Sequence, residues 1–158
     1  MSTKASTFNK LFHYGQRANK NGWGFRRRIC KYLLRIIYQC EIDLAADIDE
    51  TVEFCHNGFG IVVNARSKIG GETCVQHCVT IGDIHTDGPV PKIGRGCFIG
   101  ARAIILGDVN IGDNAKVGAG AVVLKNVPSN CTVVGIPARI IKENSECVTA
   151  SRSDSEID

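Results

Sequence analysis

The chain has 158 residues, 44% of them apolar, a net charge of +3 and eight cysteines. That is room for one domain with a real core and not for two. No run approaches the roughly 18 uninterrupted apolar residues of a membrane span, and the polar, basic start lacks the apolar core and cleavage site of a signal peptide.

These exclusions predict a cytoplasmic protein. Its cysteines are scattered and form no CxxC pair, so they read as reduced thiols, not as a disulfide framework or a zinc site.

Charge divides the chain at Glu41. Residues 1–40 carry nine Lys and Arg and no acid, whereas 41–158 carry ten bases against sixteen acids. Within this basic leader, FRRRICKYLLRIIYQC (25–40) places Ile29, Leu33, Ile36, Ile37 and Cys40 on one helical stripe. Arg26, Arg27, Lys31 and Arg35 fall largely elsewhere, which predicts an amphipathic helix. Two roles suit it: covering the open end of the structure that follows, and peripheral contact with the anionic inner membrane surface. Nucleic acid ranks last, because no aromatic platform or known motif accompanies the charge.

From residue 41 the period becomes six. Ile42, Ile48 and Phe54 begin it; after a break, Val63, Ile69, Val75 and Ile81 resume it three residues out of phase. After a second break Ile93, Ile99, Ile105, Ile111, Val117 and Val123 continue in that same phase. Two residues before these stands a second inward candidate, mostly small: Cys97, Ala103, Val109, Ala115 and Ala121. A six-residue unit with one large and one small inward residue suits a short strand followed by a sharp bend. Three such sides close a triangular coil of about eighteen residues, and stacked coils bury the aliphatic ladder.

The second break is GDIHTDGPVPK (82–92), where the register position is Asp87. An unpartnered buried carboxylate is costly, so this segment is expected as a loop pushed out from the coil. The last residues, 143–158, are polar and aperiodic and read as a disordered tail.

This pattern, with FCHNGFGIVV (54–63), VTIG (79–82), PKIG (91–94), VGAGAVV (117–123) and VPSNCTVVGIPARII (127–141), resembles the hexapeptide-repeat acyltransferases. Within them it is similar to the serine acetyltransferases and to their short relatives that O-acetylate polysaccharides, of the colanic acid type. The likeness covers residues 25–142. It implies an all-β solenoid, a left-handed parallel β-helix over 41–142 behind the helical leader 1–40. It also implies a homotrimer, with acetyl-CoA as co-substrate and no metal. The serine enzymes pair their trimers through a large helical N-terminal domain; with about forty residues ahead of the repeats here, the expected end point is the trimer.

Moving acetyl from a thioester to a hydroxyl needs a base for the hydroxyl proton, a role that suits imidazole. His13 lies in the leader, His77 inside a repeat, His85 in the loop, and His56 in the break between the two registers. On its residues alone His56 reads equally as the filler of a bend; the resemblance makes it the catalytic base. The resemblance also places an orienting carboxylate at Glu41, in CEIDLAAD, fifteen residues earlier and so nearly one triangular turn beneath His56. It would hold the imidazole as aspartate does in serine hydrolases. Asp43 is the competing acid.

For acetyl-CoA, Gly100, Ala101, Gly118 and Ala119 leave main-chain groups accessible and match the positions where the family's coil binds the co-substrate through its backbone. Lys116, Lys125 and Arg139 are candidate phosphate contacts, although a surface Lys is more often only a solvated charge. No P-loop or GxGxxG opens a helix after a strand, so nucleotide hydrolysis and dinucleotide redox chemistry are unsupported.

The acceptor is read from what is missing. Serine is a zwitterion, so its site needs an anion and a cation. In the serine enzymes an aspartate directly precedes the catalytic His, and an Arg-His pair precedes the Pro-Lys-Ile of the loop. This chain has Cys55 at the first place and Pro89-Val90 at the second. The expected acceptor is therefore a sugar hydroxyl of a cell-surface polysaccharide or its lipid-linked precursor. The alternative is serine O-acetylation for cysteine biosynthesis, with Asp83, His85 and Asp87 supplying replacement contacts.

Two further classes stand beside the O-acetyltransferase. A dead scaffold keeps the repeats and releases no thiol from acetyl-CoA. A β-helical carbonic anhydrase gathers three histidines on zinc; His56, His77 and His85 supply the number but not that family's spacing.

Overall fold

The structure, a computed structural model, describes residues 6–143. The tail expected at 143–158 lies, from residue 144 onward, outside the described residues.

The leader folds as two helices. Ser6 caps the first, its hydroxyl accepting the Asn9 amide at 3.2 Å, and α1 runs Thr7–Lys20. After a turn at Asn21 and Gly22, α2 runs Gly24–Ile37. The stripe expected on this second helix is corrected: Cys30 and Leu34 are buried, whereas Ile29, Ile36 and Ile37 are exposed. The cause is α1, which packs so closely that a Cβ on its Gly15 would come 3.1 Å from Cys30 Cβ and 2.9 Å from Leu44. That contact turns α2 by about 100°, one residue step, from the face its composition favours.

It is α1 that covers the open end of the first coil. Phe8 and Phe12 stand edge-on to Phe54, with ring centroids 5.7 and 5.4 Å away. The Gln16 amide donates to the carbonyls of Ala46 at 3.2 Å and Ile48 at 3.4 Å, so a buried side chain satisfies backbone acceptors that lack a coil beneath them.

The repeats then wind as a parallel β-solenoid of about four turns. The first coil holds β1 (Glu41–Ile42), β2 (Asp47–Ile48) and β3 (Glu53–Phe54). The second holds β4 (Val62–Val63), β5 (Lys68–Ile69) and β6 (Cys74–Val75). The third holds β7 (Thr80–Gly82), β8 (Lys92–Ile93) and β9 (Phe98–Ile99). The fourth holds β10 (Ile104–Leu106), β11 (Asn110–Ile111) and β12 (Lys116–Val117). Above them come β13 (Val122–Val123), β14 (Cys131–Val134) and β15 (Arg139–Glu143).

Three faces result: β1-β4-β7-β10-β13, β2-β5-β8-β11, and β3-β6-β9-β12-β14-β15. All pairings are parallel except that of β14 with β15. Ile42, Val63, Ile81, Ile105 and Val123 lie over one another in register along the first face. Both expected inward sets are buried, the aliphatics and the smaller Cys97, Ala103, Val109, Ala115 and Ala121. Each large member is worth about 1.5–3 kcal/mol against an exposed position.

Both breaks in the repeat are extrusions. The first is a tight turn at Cys55–Gly58. The second is the loop between β7 and β8, where Asp87 is exposed with φ 64°. Because Ile81 still pairs with Ile105 across it, the loop leaves and rejoins the coil without shifting the ladder.

Candidate active site

The predicted residues can be placed by the edge of the prism on which they fall. The chain crosses from the β3 face to the β1 face once per coil: through Cys55–Ile61, then through residues 76–79, 100–103 and 118–121. His56, His77, Ala101 and Ala119 therefore sit one above another on a single edge. Backbone bonds tie these corners: the Cys78 amide donates to Phe59 at 2.8 Å, Arg102 to His77 at 3.0 Å, and Gly120 to Ala101 at 2.8 Å.

His56 stands at the foot of this edge, exposed, in a turn that few sequences tolerate. Its φ and ψ are 52° and 36°, and those of Asn57 are 55° and 32°. Two consecutive left-handed residues cost about 1–2 kcal/mol each, and His and Asn are among the side chains that enter this region most readily. Gly58 follows with φ 66°, and a Cβ there would run into the ring of Phe8. Helix α1 thus presses directly on the turn that presents the imidazole. The ring of His77, one coil above, meets that of His56 at 4.9 Å and 88°.

Glu41 lies on β1, paired with Val62 on the far side of the same turn. Its exposed carboxylate is 3.9 Å from the Arg35 guanidinium. Among the described residues no hydrogen bond joins Glu41 to His56. Asp43 accepts the Ala45 amide at 2.9 Å and pairs with Lys31 at 3.4 Å.

Cys55 is half-buried, its sulfur 3.1 Å from that of Cys74. Burial, with the Cys74 thiol and its latent negative charge beside it, pushes the Cys55 pKa up to about 12. The thiol is therefore neutral at physiological pH and carries no charge for an ammonium group.

The co-substrate positions divide into two kinds. Gly100 is buried beneath the next coil, where a Cβ would come 2.6 Å from the Ala119 nitrogen; at Gly118 it would come 2.6 Å from Val134. Close coil stacking already requires both glycines, and their amides are used in the ladder, donating to Val117 and Val133 at 2.8 Å each. Among the described residues no such bond engages the amides of Ala101 and Ala119. Arg139, exposed on β15, pairs with Val134 above Gly118 and so belongs to the same end of the edge. Lys116 points outward from β12, while Lys125 lies beyond β13, one face further on.

Asp83, His85 and Asp87 leave the prism at a different edge, between the β1 and β2 faces. Asp83 accepts from Asn64 at 3.3 Å and from Arg66 at 3.4 Å, and Arg66 also donates to the Asp87 carbonyl at 3.3 Å. Sequence reasoning had no role for Arg66, Cys74 or Phe8, and one for His77 only in the zinc alternative. Cys74 was recoverable: with Glu53 paired to Cys74, Cys55 projects beside it. No group of three His, Cys, Asp or Glu among the described residues could hold a metal ion. No helix among them is long and apolar enough to cross a membrane.

The repeat and the fold are shared with known proteins. Residues 91–125 match the bacterial transferase hexapeptide family (six repeats). The chain is 43% identical over 113 residues to the acetyltransferase WcaB assigned to colanic acid biosynthesis in Escherichia coli K12, covering 68% of this chain and 69% of that protein. It is 35% identical over 116 residues to the serine acetyltransferase of Synechococcus elongatus, covering 72% of this chain and 47% of that one. The crystal structure of serine acetyltransferase from Brucella abortus superposes with a TM-score of 0.79 at 34% identity, covering 85% of this chain and 55% of that one. The chain thus spans about half the length of the serine acetyltransferases it matches. Repeat, register and relatives agree that this left-handed parallel β-helix belongs to the hexapeptide-repeat acetyltransferases, in the group that holds both the serine enzymes and WcaB.

Proposed function

We propose that this chain transfers acetyl from acetyl-CoA to a hydroxyl group, with His56 as base. The observation that carries this reading is the single edge on which an exposed imidazole and the unengaged amides of Ala101 and Ala119 are stacked. His56 removes the acceptor hydroxyl proton as the oxygen attacks the thioester carbonyl. The carbon–sulfur bond breaks, and the proton passes to the departing CoA sulfur. Glu41 is the proposed orienting carboxylate, since its exposed contact with Arg35 is cheap to exchange. Along the edge, Ala101 and Ala119 meet the pantetheine arm and Gly100 and Gly118 let the coils close behind it. Arg139, Lys116 and Lys125 are the proposed phosphate contacts.

A sugar hydroxyl of a cell-surface polysaccharide or its lipid-linked precursor is the proposed acceptor, which would place the enzyme at the inner membrane surface. The neutral Cys55 thiol supports it, as does the engagement of Asp83 by Asn64 and Arg66, which leaves Asp87 as the loop's one carboxylate for a serine ammonium. The assembly we propose is a homotrimer. Loop and imidazole lie on different edges of one chain, so Asp83, His85 and Asp87 would reach a His56 only in a neighbouring copy.

The test follows CoA release with glycan acceptors and, separately, with L-serine. His56→Ala should lower glycan acetylation by about 10²–10⁴-fold with acetyl-CoA affinity retained, because the base acts in the transition state. Undiminished turnover refutes the base, and saturable turnover on L-serine at or below about millimolar concentration refutes the acceptor.

A further inference from the structure

The face of α2 turned away from α1 carries an apolar stripe that the fold leaves open. Phe25, Ile29, Tyr32 and Ile36 are 77, 42, 66 and 57% exposed. Spaced four, three and four apart, they fall within an arc of about 60° at 3.6 residues per turn. Arg28, Lys31 and Arg35 border this arc on one side. Arg26 borders it on the other, its guanidinium 4.8 Å above the ring of Trp23.

We propose that this face docks on an anionic lipid surface, lying in the plane of the headgroups with the stripe inserted. Charge decides the occupant. A second copy laid face to face and antiparallel would set Arg28, Lys31 and Arg35 against their own kind, with only the exposed Asp43 and Glu41 beside Lys31 and Arg35 to offset them. Anionic headgroups match both features at once: apolar side chains enter the acyl boundary while the flanking cations remain at the phosphates. Trp23 and Tyr32 have the amphipathic rings that settle at that depth. The exposed pairs Lys31–Asp43 and Arg35–Glu41, at 3.4 and 3.9 Å, are cheap to exchange for lipid phosphate. This surface rests on the proposed O-acetyltransferase reading only for its purpose, which is to bring a lipid-linked acceptor to the enzyme.

The test uses the full chain without substrate. It is mixed with vesicles of phosphatidylcholine alone, or of phosphatidylcholine with phosphatidylglycerol, and sedimented while the emission of Trp23, the one tryptophan in the sequence, is recorded. Binding with a blue shift is expected for the anionic vesicles alone, reversed by salt. Phe25→Ser with Ile36→Ser, at exposed positions that leave the fold intact, should weaken it by about tenfold or more. Absence of binding to anionic vesicles, equal binding to neutral ones, or an unaffected double variant overturns the proposal. A smaller assembly for the double variant would assign the face to a second copy. CoA release measured without lipid reports separately on the acetyl-transfer reading.

Discussion

The ring of His77 meets the ring of His56 edge to face, with centroids 4.9 Å apart and an angle of 88° between the planes. His77 is itself fixed by its corner, its carbonyl accepting the Arg102 amide at 3.0 Å, and its Nδ1 is buried without a hydrogen-bond partner. What it offers His56 is therefore a wall. Aromatic contacts of this kind are worth about 0.5–1.5 kcal/mol, up to roughly tenfold in rate. His77→Ala should lower kcat by up to that factor with the KM for acetyl-CoA unchanged, and His77→Phe should restore most of it. Steady-state CoA release checks this; wild-type kcat in His77→Ala would remove the positioning role.

Phe8 supports the same turn from below. Its ring occupies the space a Cβ on Gly58 would need. Truncating a buried Phe costs about 3–5 kcal/mol, and here the space opens beneath the His56 turn. Phe8→Ala should lower the melting temperature and also lower kcat in the molecules that remain folded. Gly58→Ala should do the same by collision and by its φ of 66°. Thermal melts and CoA release measured well below the transition separate the two effects, and full activity in folded Phe8→Ala would disconnect α1 from the site.

Gly100 and Ala119 touch across a coil boundary yet predict opposite behaviour. A Cβ at Gly100 would lie 2.6 Å from the Ala119 nitrogen, so Gly100→Ala should destabilise the fold by about 1–3 kcal/mol through overpacking. Ala119 is exposed, so Ala119→Trp should leave the melt unchanged and weaken acetyl-CoA binding by steric exclusion. Calorimetric titration with acetyl-CoA decides; an unchanged affinity in Ala119→Trp places the co-substrate elsewhere.

Stability should fall on the alkaline side. Burial, outweighing two backbone hydrogen bonds, pushes the Cys40 thiol up to about 11, and Cys55 stands at about 12, against an ordinary value of 9.0. The folded chain keeps these protons where the unfolded chain releases them. This stability is complete below pH 9 and is lost as pH rises through the folded values. Denaturant melts from pH 7 to 11 should show the decline, with a shallower slope in Cys40→Ala. A curve as steep in that variant as in wild type would assign the effect to other groups.

The coil was legible because its requirement is local. Ile93, Ile99 and Ile105 must recur every six residues whatever else the chain does, and Asp87 at a register position announced the loop. His56 was legible only through family likeness, since its left-handed backbone and the rings of His77 and Phe8 around it come from residues distant in sequence. The face of α2 was misread because Ile29, Ile36 and Cys30 are alike to a hydrophobicity pattern. The choice between them lies in the close approach at Gly15 on a separate helix, which no pattern within α2 itself encodes.

The single edge is also a ruler. Adjacent parallel strands are about 4.8 Å apart, so the three steps from the His56 corner to the Ala119 corner measure about 14 Å, fixed by backbone hydrogen bonds and not by any side chain. Removing one whole coil would shorten that distance by a set increment and leave every remaining contact of the same kind, eighteen residues separating the paired Ile105 and Val123. If acetyl-CoA lies along this edge as proposed, the reach its thioester arm needs to touch the imidazole is a number of coils, a quantity that changes only in whole steps.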